Sequence, residues 1–472
     1  MFKLKGASQF GGALVIGRLI QAGAFFAMAR QLQGDQMGVV ALLTALFIGL
    51  FQLTNLGLDR YVVYTKATEP EDLALTIDVV WTLQLLRGVF VLLCTIPVGM
   101  AVNRFSAFDL TYAYFLGIAL SVMILSVANP KVSTFERTGD FNYIGRMRAF
   151  SVAAGGLTTI GLVFVFAEPW VYVAGQIASA CVFTGLSFLY SDGRPRLSLD
   201  GRRIREALKY CKHLIVVAAV SFISTQLESF YVGVAFGPAS LGLYFTWNRM
   251  VHLPREILTQ LLSRILFSKV SDLARRDQPF NRSHVLGFAA IVGLVLPFNT
   301  FIWFHGDVLM VALAGERWVG FWWGGRIFAL ISTAYALLAT IGPFNLVTCP
   351  WVSSTLRSIE TAAMACLMFL LAPVYGIAGV LSALLSVLTI ALMIRIVVLY
   401  RWIITSGRAT HAATCVTILT VTLAPLLVVE FLILPWLGMD DLVAPAAAYA
   451  ATCLTIGGAA VLNRRQLLQG IS

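Results

Sequence analysis

The sequence predicts an all-α polytopic membrane protein with about fourteen transmembrane helices, organised as two six-helix bundles followed by an extra pair. Composition is the first reason. Of 472 residues, 59% are hydrophobic and 12% charged, whereas a soluble globular domain carries roughly 25% charged residues. The second reason is length of run: about twenty apolar residues at a rise of 1.5 Å cover a hydrocarbon core of about 30 Å, and such runs recur along the whole chain. The third is where the charges fall. The net charge of +11 is carried by short loops between apolar runs, which fits a membrane topology and argues against nucleic acid as a partner.

Taken in order, span one covers 10–30. Lys3 and Lys5 precede it in the manner of a signal peptide, but Arg18 interrupts the apolar run, so it reads as an uncleaved first helix. Span two, 38–64, follows a short turn. Spans three to six cover 78–101, 109–129, 149–167 and 170–190, separated by loops that alternate between basic (Lys131, Arg137, Arg146, Arg148) and nearly neutral. A basic connector, 191–212, contains Gly193, Pro195 and the run Asp200-Gly201-Arg202-Arg203-Ile204-Arg205. It reads either as an ordinary cytoplasmic loop or as an amphipathic linker on anionic headgroups. Spans seven to twelve cover 213–236, 242–268, 285–305, 321–347, 357–372 and 374–400, and the last pair covers 412–434 and 442–462. The expected divisions are therefore 1–190, 191–212, 213–400 and 401–472. Because the basic residues collect at both ends and in alternate loops, both termini are expected in the cytoplasm. Pro254, Pro297, Pro343 and Pro425 are expected to bend their helices, Trp318, Trp322 and Trp323 to form an outer aromatic belt, and Asp440-Asp441 to sit in an external turn. The seven cysteines include no C-x-x-C pair, and neither disulfides nor a metal site is expected.

The two halves resemble each other when residue 34 is laid on residue 238, a shift of 238 − 34 = 204. Leu32-Gln33-Gly34-Asp35-Gln36-Met37-Gly38-Val39-Val40 then meets Phe236-Gly237-Pro238-Ala239-Ser240-Leu241-Gly242-Leu243-Tyr244, and Gln52 and Arg60 meet Glu256 and Arg264. Each half starts on the same side, so the expected symmetry axis lies along the membrane normal with a site between the halves.

Span eight is the costly one. At about 100° per residue, Arg249, His252, Glu256, Gln260 and Ser263 fall on one face, with Arg264 at its border and Arg255 beside His252. Charges at that depth face a wet interior rather than lipid. Span seven carries Ser221, Ser224, Thr225 and Glu228 at i, i+3, i+4 and i+7, a second polar face.

The turn Phe236-Gly237-Pro238-Ala239-Ser240-Leu241-Gly242-Leu243-Tyr244 resembles the L-G-P-x-x-x-G-x-Y turn of the bacterial polysaccharide-repeat flippases, part of the multidrug/oligosaccharidyl-lipid/polysaccharide exporter superfamily. Its first-half counterpart has Gln33 and Gly34 at the Gly-Pro positions. Asn55-Leu56-Gly57-Leu58-Asp59-Arg60 is similar to that family's D-x-G motif, with Asn first, and Phe135-Glu136-Arg137-Thr138-Gly139-Asp140-Phe141 resembles the loop after its fourth span. The resemblance covers roughly 1–400. It implies two six-helix bundles in a V around a central cavity lined by spans one, two, seven and eight, and movement of a polyprenyl-diphosphate-linked oligosaccharide to the outer leaflet by alternating access, with H+ or Na+ as the coupling ion in some members.

A lipid-linked diphosphate requires a hydrated, cationic path, because neither its charge nor its sugar crosses hydrocarbon unaided. Arginine suits its oxygens bidentately. Arg18, Arg249 and Arg255, with His252 and Glu256, are therefore the candidate substrate-binding residues. Glu228, with Ser224 and Thr225, is either an ion-coupling group or the charge partner of Arg249. Arg60 and Arg264 lie near the cytoplasmic ends as headgroup anchors or an entrance for the substrate. No catalytic residue and no cofactor is expected. The expected partners are the lipid-linked oligosaccharide, membrane lipids and polysaccharide polymerase or export proteins. Two other readings compete: a small-molecule or multidrug antiporter of the same fold, and a membrane enzyme of polysaccharide assembly, which would need an external catalytic loop that no loop here is long enough to form.

Overall fold

Alternating apolar runs and short polar loops fold here into helices alone among the described residues. The computed structural model describes residues 4–54, 57–65, 70–105, 110–138, 141–191, 193–404, 407–433, 445, 446 and 449. In chain order these are α1 (Leu4–Gln31), α2 (Gly34–Thr54), α3 (Leu58–Tyr64), α4 (Pro70–Phe105), α5 (Tyr112–Val127), α6 (Ser133–Thr138), α7 (Phe141–Val163), α8 (Trp170–Tyr190), α9 (Gly201–Arg275), α10 (Asn281–Ala314), α11 (Trp322–Thr348), α12 (Pro350–Tyr375), α13 (Ile377–Val398) and α14 (Arg408–Val428). Among the described residues, 8 helices are long and apolar enough to cross a membrane. The all-α, multi-pass expectation is borne out. The expected last span, the turn holding Asp440 and Asp441, and Lys3 lie outside the described residues, apart from 445, 446 and 449 of that span; so do Asn55, Leu56, Gly139 and Asp140 of the motifs, and the side chains of Lys5 and Glu136.

Four details depart from expectation. Span two is not one helix: Gly57 at φ 69° separates α2 from α3. The turn between spans seven and eight shrinks to one residue, Gly237, whose φ of 82° and ψ of 177° suit glycine alone, while helix continues on either side. Gly237 is the residue recorded as non-helical in α9, so Pro254 sits within helical backbone, and in α10 the break falls at His305 (φ −122°, ψ 17°) instead of Pro297. Trp318 is no belt residue. It is fully buried and its indole N–H donates to Ala314 O at 3.1 Å; Trp322, 44% exposed, matches the belt expectation better.

The chain forms two compact units, Met1–Phe245 and Thr246–Ser472, and α9 runs through the boundary. In the first, α1 packs on α7, α7 on α8, and α4 and α8 on α5. Hydroxyl and indole groups tie these apolar helices where lipid offers no hydrophobic drive: Ser151 Oγ donates to Ser179 O, Thr184 Oγ1 to Ile124 O, and Trp81 Nε1 to Val127 O at 3.0 Å. The first half of α9 belongs to this unit, with Tyr210 against Tyr61 and Phe245 against Phe25. A tight feature also lies here. A Cβ on Gly38 would overlap the Pro238 carbonyl, and one on Gly242 would overlap the Gly34 carbonyl. Under the shift of 204, Gly34 corresponds to Pro238 and Gly38 to Gly242. Each contact is thus the mirror of the other, the self-complementary pattern of a twofold interface.

The connector 191–212 is half extended and half helical, with α9 starting at Gly201. Its extended part is held along α4: Arg196 N donates to Asp78 Oδ1 at 2.8 Å and Ser198 N to Thr82 Oγ1 at 2.9 Å. Arg203 pairs with Asp72 and donates to Thr76 Oγ1, and the hydrogen bond to Asp72 raises the guanidinium's pKa above its ordinary value.

In the second unit α10 packs on α11 and α14, and α12 and α11 on α13. Its buried polar links include Asn299 to Thr333, Arg395 to Glu360 at 2.6 Å, and His305 to Glu430 at 3.0 Å.

Candidate functional site

The polar face of span eight is built against α11. Trp247 opens it, fully buried, with its indole N–H donating to the Trp318 carbonyl at 2.9 Å. One turn and a half later His252 is buried, edge-on to Phe328 (ring centroids 5.8 Å apart) and Tyr335 (6.1 Å). Arg255 lays its guanidinium over the Tyr335 ring at 4.6 Å from the centroid, a contact worth about 0.5–2 kcal/mol. Arg249 Nη1 reaches Glu256 Oε2 at 3.2 Å along the same helix. With side chains 26% and 38% exposed, that pair is screened and contributes about 0–1 kcal/mol.

Chemically, the face offers two half-buried guanidinium groups held in different ways. Arg255 rests on an aromatic plane, which attracts the guanidinium and orients its fork. Arg249 has a carboxylate partner that an incoming phosphate oxygen can replace at little cost, since the existing pair is weak. His252 is placed differently from the arginines: it packs into the interface with α11 and is a positioning group for that helix pair. The side chains of Gln260, Ser263 and Arg264 lie outside the described residues.

The first unit holds the other candidates. Arg18 Nη1 donates to Gln21 Oε1 at 2.9 Å, one turn on in α1. Ser224 Oγ donates to Val220 O and Thr225 Oγ1 to Ser221 O, so both hydroxyls are turned onto the carbonyls of their own helix. Glu228 is half-buried on the same helix, one turn beyond Thr225. Arg60 is exposed on α3, in the position of a surface anchor.

Sequence reasoning left Arg87, Arg326, Arg395 and Glu430 unassigned, and each has a local task. Arg87 is buried and donates to Ser126 Oγ at 2.9 Å between α4 and α5. Arg395 answers Glu360 between α13 and α12. Arg326 stacks over Trp322 at 4.4 Å, and Glu430 accepts from Tyr449 as well as meeting His305. The residue overlooked in the site itself is Tyr335. In the sequence it is one aromatic within an apolar run, and nothing local marks it as the platform for Arg255.

Comparison with known proteins bears on the family and the fold. The sequence profile of a family described as "Polysaccharide biosynthesis protein" matches residues 27–322. A protein of Klebsiella pneumoniae described as an uncharacterized membrane protein in the cps region is 21% identical over 306 residues, covering 62% of this chain. The match spans 60% of that protein's length. Among solved structures, the lipid II flippase MurJ in an inward closed conformation superposes with a TM-score of 0.73 at 13% identity, covering 97% of this chain and 99% of MurJ. An inward-facing multidrug resistance transporter of the MATE family, of the MOP superfamily, gives a TM-score of 0.59 at 12% identity, covering 85% of this chain and 96% of that one. The fold is therefore that of the multidrug/oligosaccharidyl-lipid/polysaccharide exporters, as the Gly237-Pro238 turn motif led one to expect. With the family profile matching more than half of its length, this chain belongs to the polysaccharide biosynthesis protein family.

Proposed function

We propose that this multi-pass membrane protein flips a polyprenyl-diphosphate-linked oligosaccharide repeat unit from the cytoplasmic to the outer leaflet of the inner membrane, for surface polysaccharide synthesis. The observation that carries the proposal is the half-buried cationic face of Arg249 and Arg255 along α9, with Arg255 set on Tyr335, in a chain of the polysaccharide biosynthesis family. The diphosphate exchanges with Glu256 for Arg249 and is gripped by Arg255, while the sugar remains in water and the polyprenyl tail in lipid. Arg18, on α1, is the candidate substrate-binding cation of the first unit. No bond is made or broken, so the protein acts as a transporter and not an enzyme. Glu228, with Ser224 and Thr225 on the same helix, takes the coupling ion, H+ or Na+. Both termini face the cytoplasm, where Arg60 and Arg264 meet incoming headgroups, and polymerase or export proteins receive the flipped unit.

The test is complementation of a deletion strain, with lipid-linked intermediates analysed alongside surface glycan. Arg249→Ala and Arg255→Ala each reduce surface glycan about tenfold or more at normal membrane levels of the protein, and the complete lipid-linked unit accumulates on the cytoplasmic side. Normal glycan in both variants would overturn the reading. Unchanged glycan with altered drug sensitivity would favour a small-molecule antiporter of the same fold, which the likeness to the MATE transporter supports.

A further inference from the structure

Away from the polar face of α9, the second unit buries a cluster that the transport reading does not use. His411 and Cys415 stand one turn apart on α14, on the same face of the helix, and His284 faces them from the first turn of α10. All three are buried, with His284 3% exposed, His411 1% and Cys415 8%. One ligand atom from each lies within 4.8 Å of the others. The two imidazole centroids are 5.0 Å apart.

Two features set this apart from ordinary core packing. Among the described residues, both ring nitrogens of His284 and Nε2 of His411 are buried with no hydrogen-bond partner. A buried histidine normally satisfies at least one nitrogen, and leaving both unmade is costly. In addition, the Tyr400 hydroxyl sits 3.0 Å from His411 Nδ1, with Cys415 Sγ at 4.0 Å from the same atom. A hydroxyl on one nitrogen is the outer contact that fixes the tautomer of a metal-bound histidine. The walls around the three are apolar: Val285, Phe288 and Val292 of α10, and Phe344 of α11 edge-on to His284.

We infer that His284, His411 and Cys415 form a binding site for a thiophilic transition-metal ion such as Zn2+ or Cu+, pinning the start of α14 to the start of α10. Two imidazoles and a thiolate make a borderline-to-soft donor set that excludes Mg2+ and Ca2+, whose ligands are oxygens. In a tetrahedral zinc site donor atoms stand roughly 3.3–3.8 Å apart, so a shift of about an ångström closes this set. Binding takes the Cys415 Sγ–H proton to solvent and leaves a thiolate on the ion. The ion reaches the site past Tyr400, whose side chain also lines an open groove of about 540 Å³ with Ile396, Val397, Arg401 and Arg408. The fourth position is open to water.

The experiment uses the full chain, purified in detergent and stripped with chelator, with Co2+ as spectroscopic probe and Zn2+ as competitor. Wild-type protein is expected to bind one equivalent of Co2+ with a sulfur-to-cobalt charge-transfer band in the near ultraviolet, to lose the band on adding Zn2+, and to melt at a higher temperature with Zn2+ than without. Cys415→Ala abolishes the band, and His284→Ala weakens binding at least tenfold. Both variants elute as folded protein without metal, because they only shorten buried side chains. If either elutes aggregated, the wild-type band and the Zn2+-dependent melting shift decide alone. Absence of both in the wild type, or an undiminished band in Cys415→Ala, would overturn the assignment.

Discussion

Helix α2 and the second half of α9 align at the shift of 204, yet they carry opposite kinds of side chain. Where α9 has Arg249, His252, Arg255 and Glu256, α2 has Ala45, Ile48, Phe51 and Gln52 at the shift of 204. Ala45 is 2% exposed whereas Arg249 and Glu256 are half-buried and paired. The glycine contacts of the turn, by contrast, match in both repeats. The backbone frame has thus stayed twofold while the charge has become one-sided. Geometry that two matching segments share is constrained by both, whereas a cationic face for the diphosphate of the proposed substrate is needed only once.

Four perturbations break or sharpen that contrast. Ala45→Arg, which gives α2 its mate's charge, has the largest effect: an arginine at a packed site in a membrane helix costs several kcal/mol, from about 2.5 upward. Folded, membrane-inserted protein measured by size exclusion falls about tenfold, whereas normal yield would mean that this position is as hydrated as its mate. Gly38→Val and Gly242→Val come next. Each forces a side chain onto a backbone carbonyl and destabilises by about 1–3 kcal/mol, and their thermal shifts are equal if the contact is truly twofold. Glu256→Gln costs only about 0–1 kcal/mol, because its pair with Arg249 is partly exposed; a melting shift of many degrees would reveal a far stronger pair. Arg203→Ala at the start of α9 is smaller still, below about 1 kcal/mol, and falls further with salt. Because Asp72 raises the Arg203 pKa, the stabilisation is complete below the arginine's unfolded value and is lost only as pH rises through the higher folded one. Melting curves of wild type and variant therefore keep a constant gap across the neutral range.

Hydropathy made the spans legible, because the bilayer imposes one length on every crossing helix. It did not reveal the breaks at Gly57 and His305. A helix end inside an apolar run is set by local backbone geometry and neighbouring helices, which leave no trace in average hydrophobicity. Site residues divide the same way. Arg249 and Glu256 lie on one helix, and their shared face follows from the 3.6-residue period. Tyr335, Glu360 as partner of Arg395, and His284 opposite His411 come from different helices, and a single sequence holds no record of which apolar faces meet. Trp318 misled for a related reason: tryptophan near a span's end commonly marks the interface, but here its indole caps Ala314 and its carbonyl receives Trp247.

The paired glycines carry a genetic consequence. Gly38 meets the main chain of Pro238, and Gly242 meets that of Gly34 and Gly38. A main-chain carbonyl is present whatever residue bears it, so no substitution at position 34 or 238 restores the space that a bulky residue at 242 or 38 has taken. Selection for suppressors of Gly38→Val or Gly242→Val should therefore return reversion to glycine at the altered codon, and not compensating changes in the opposite repeat.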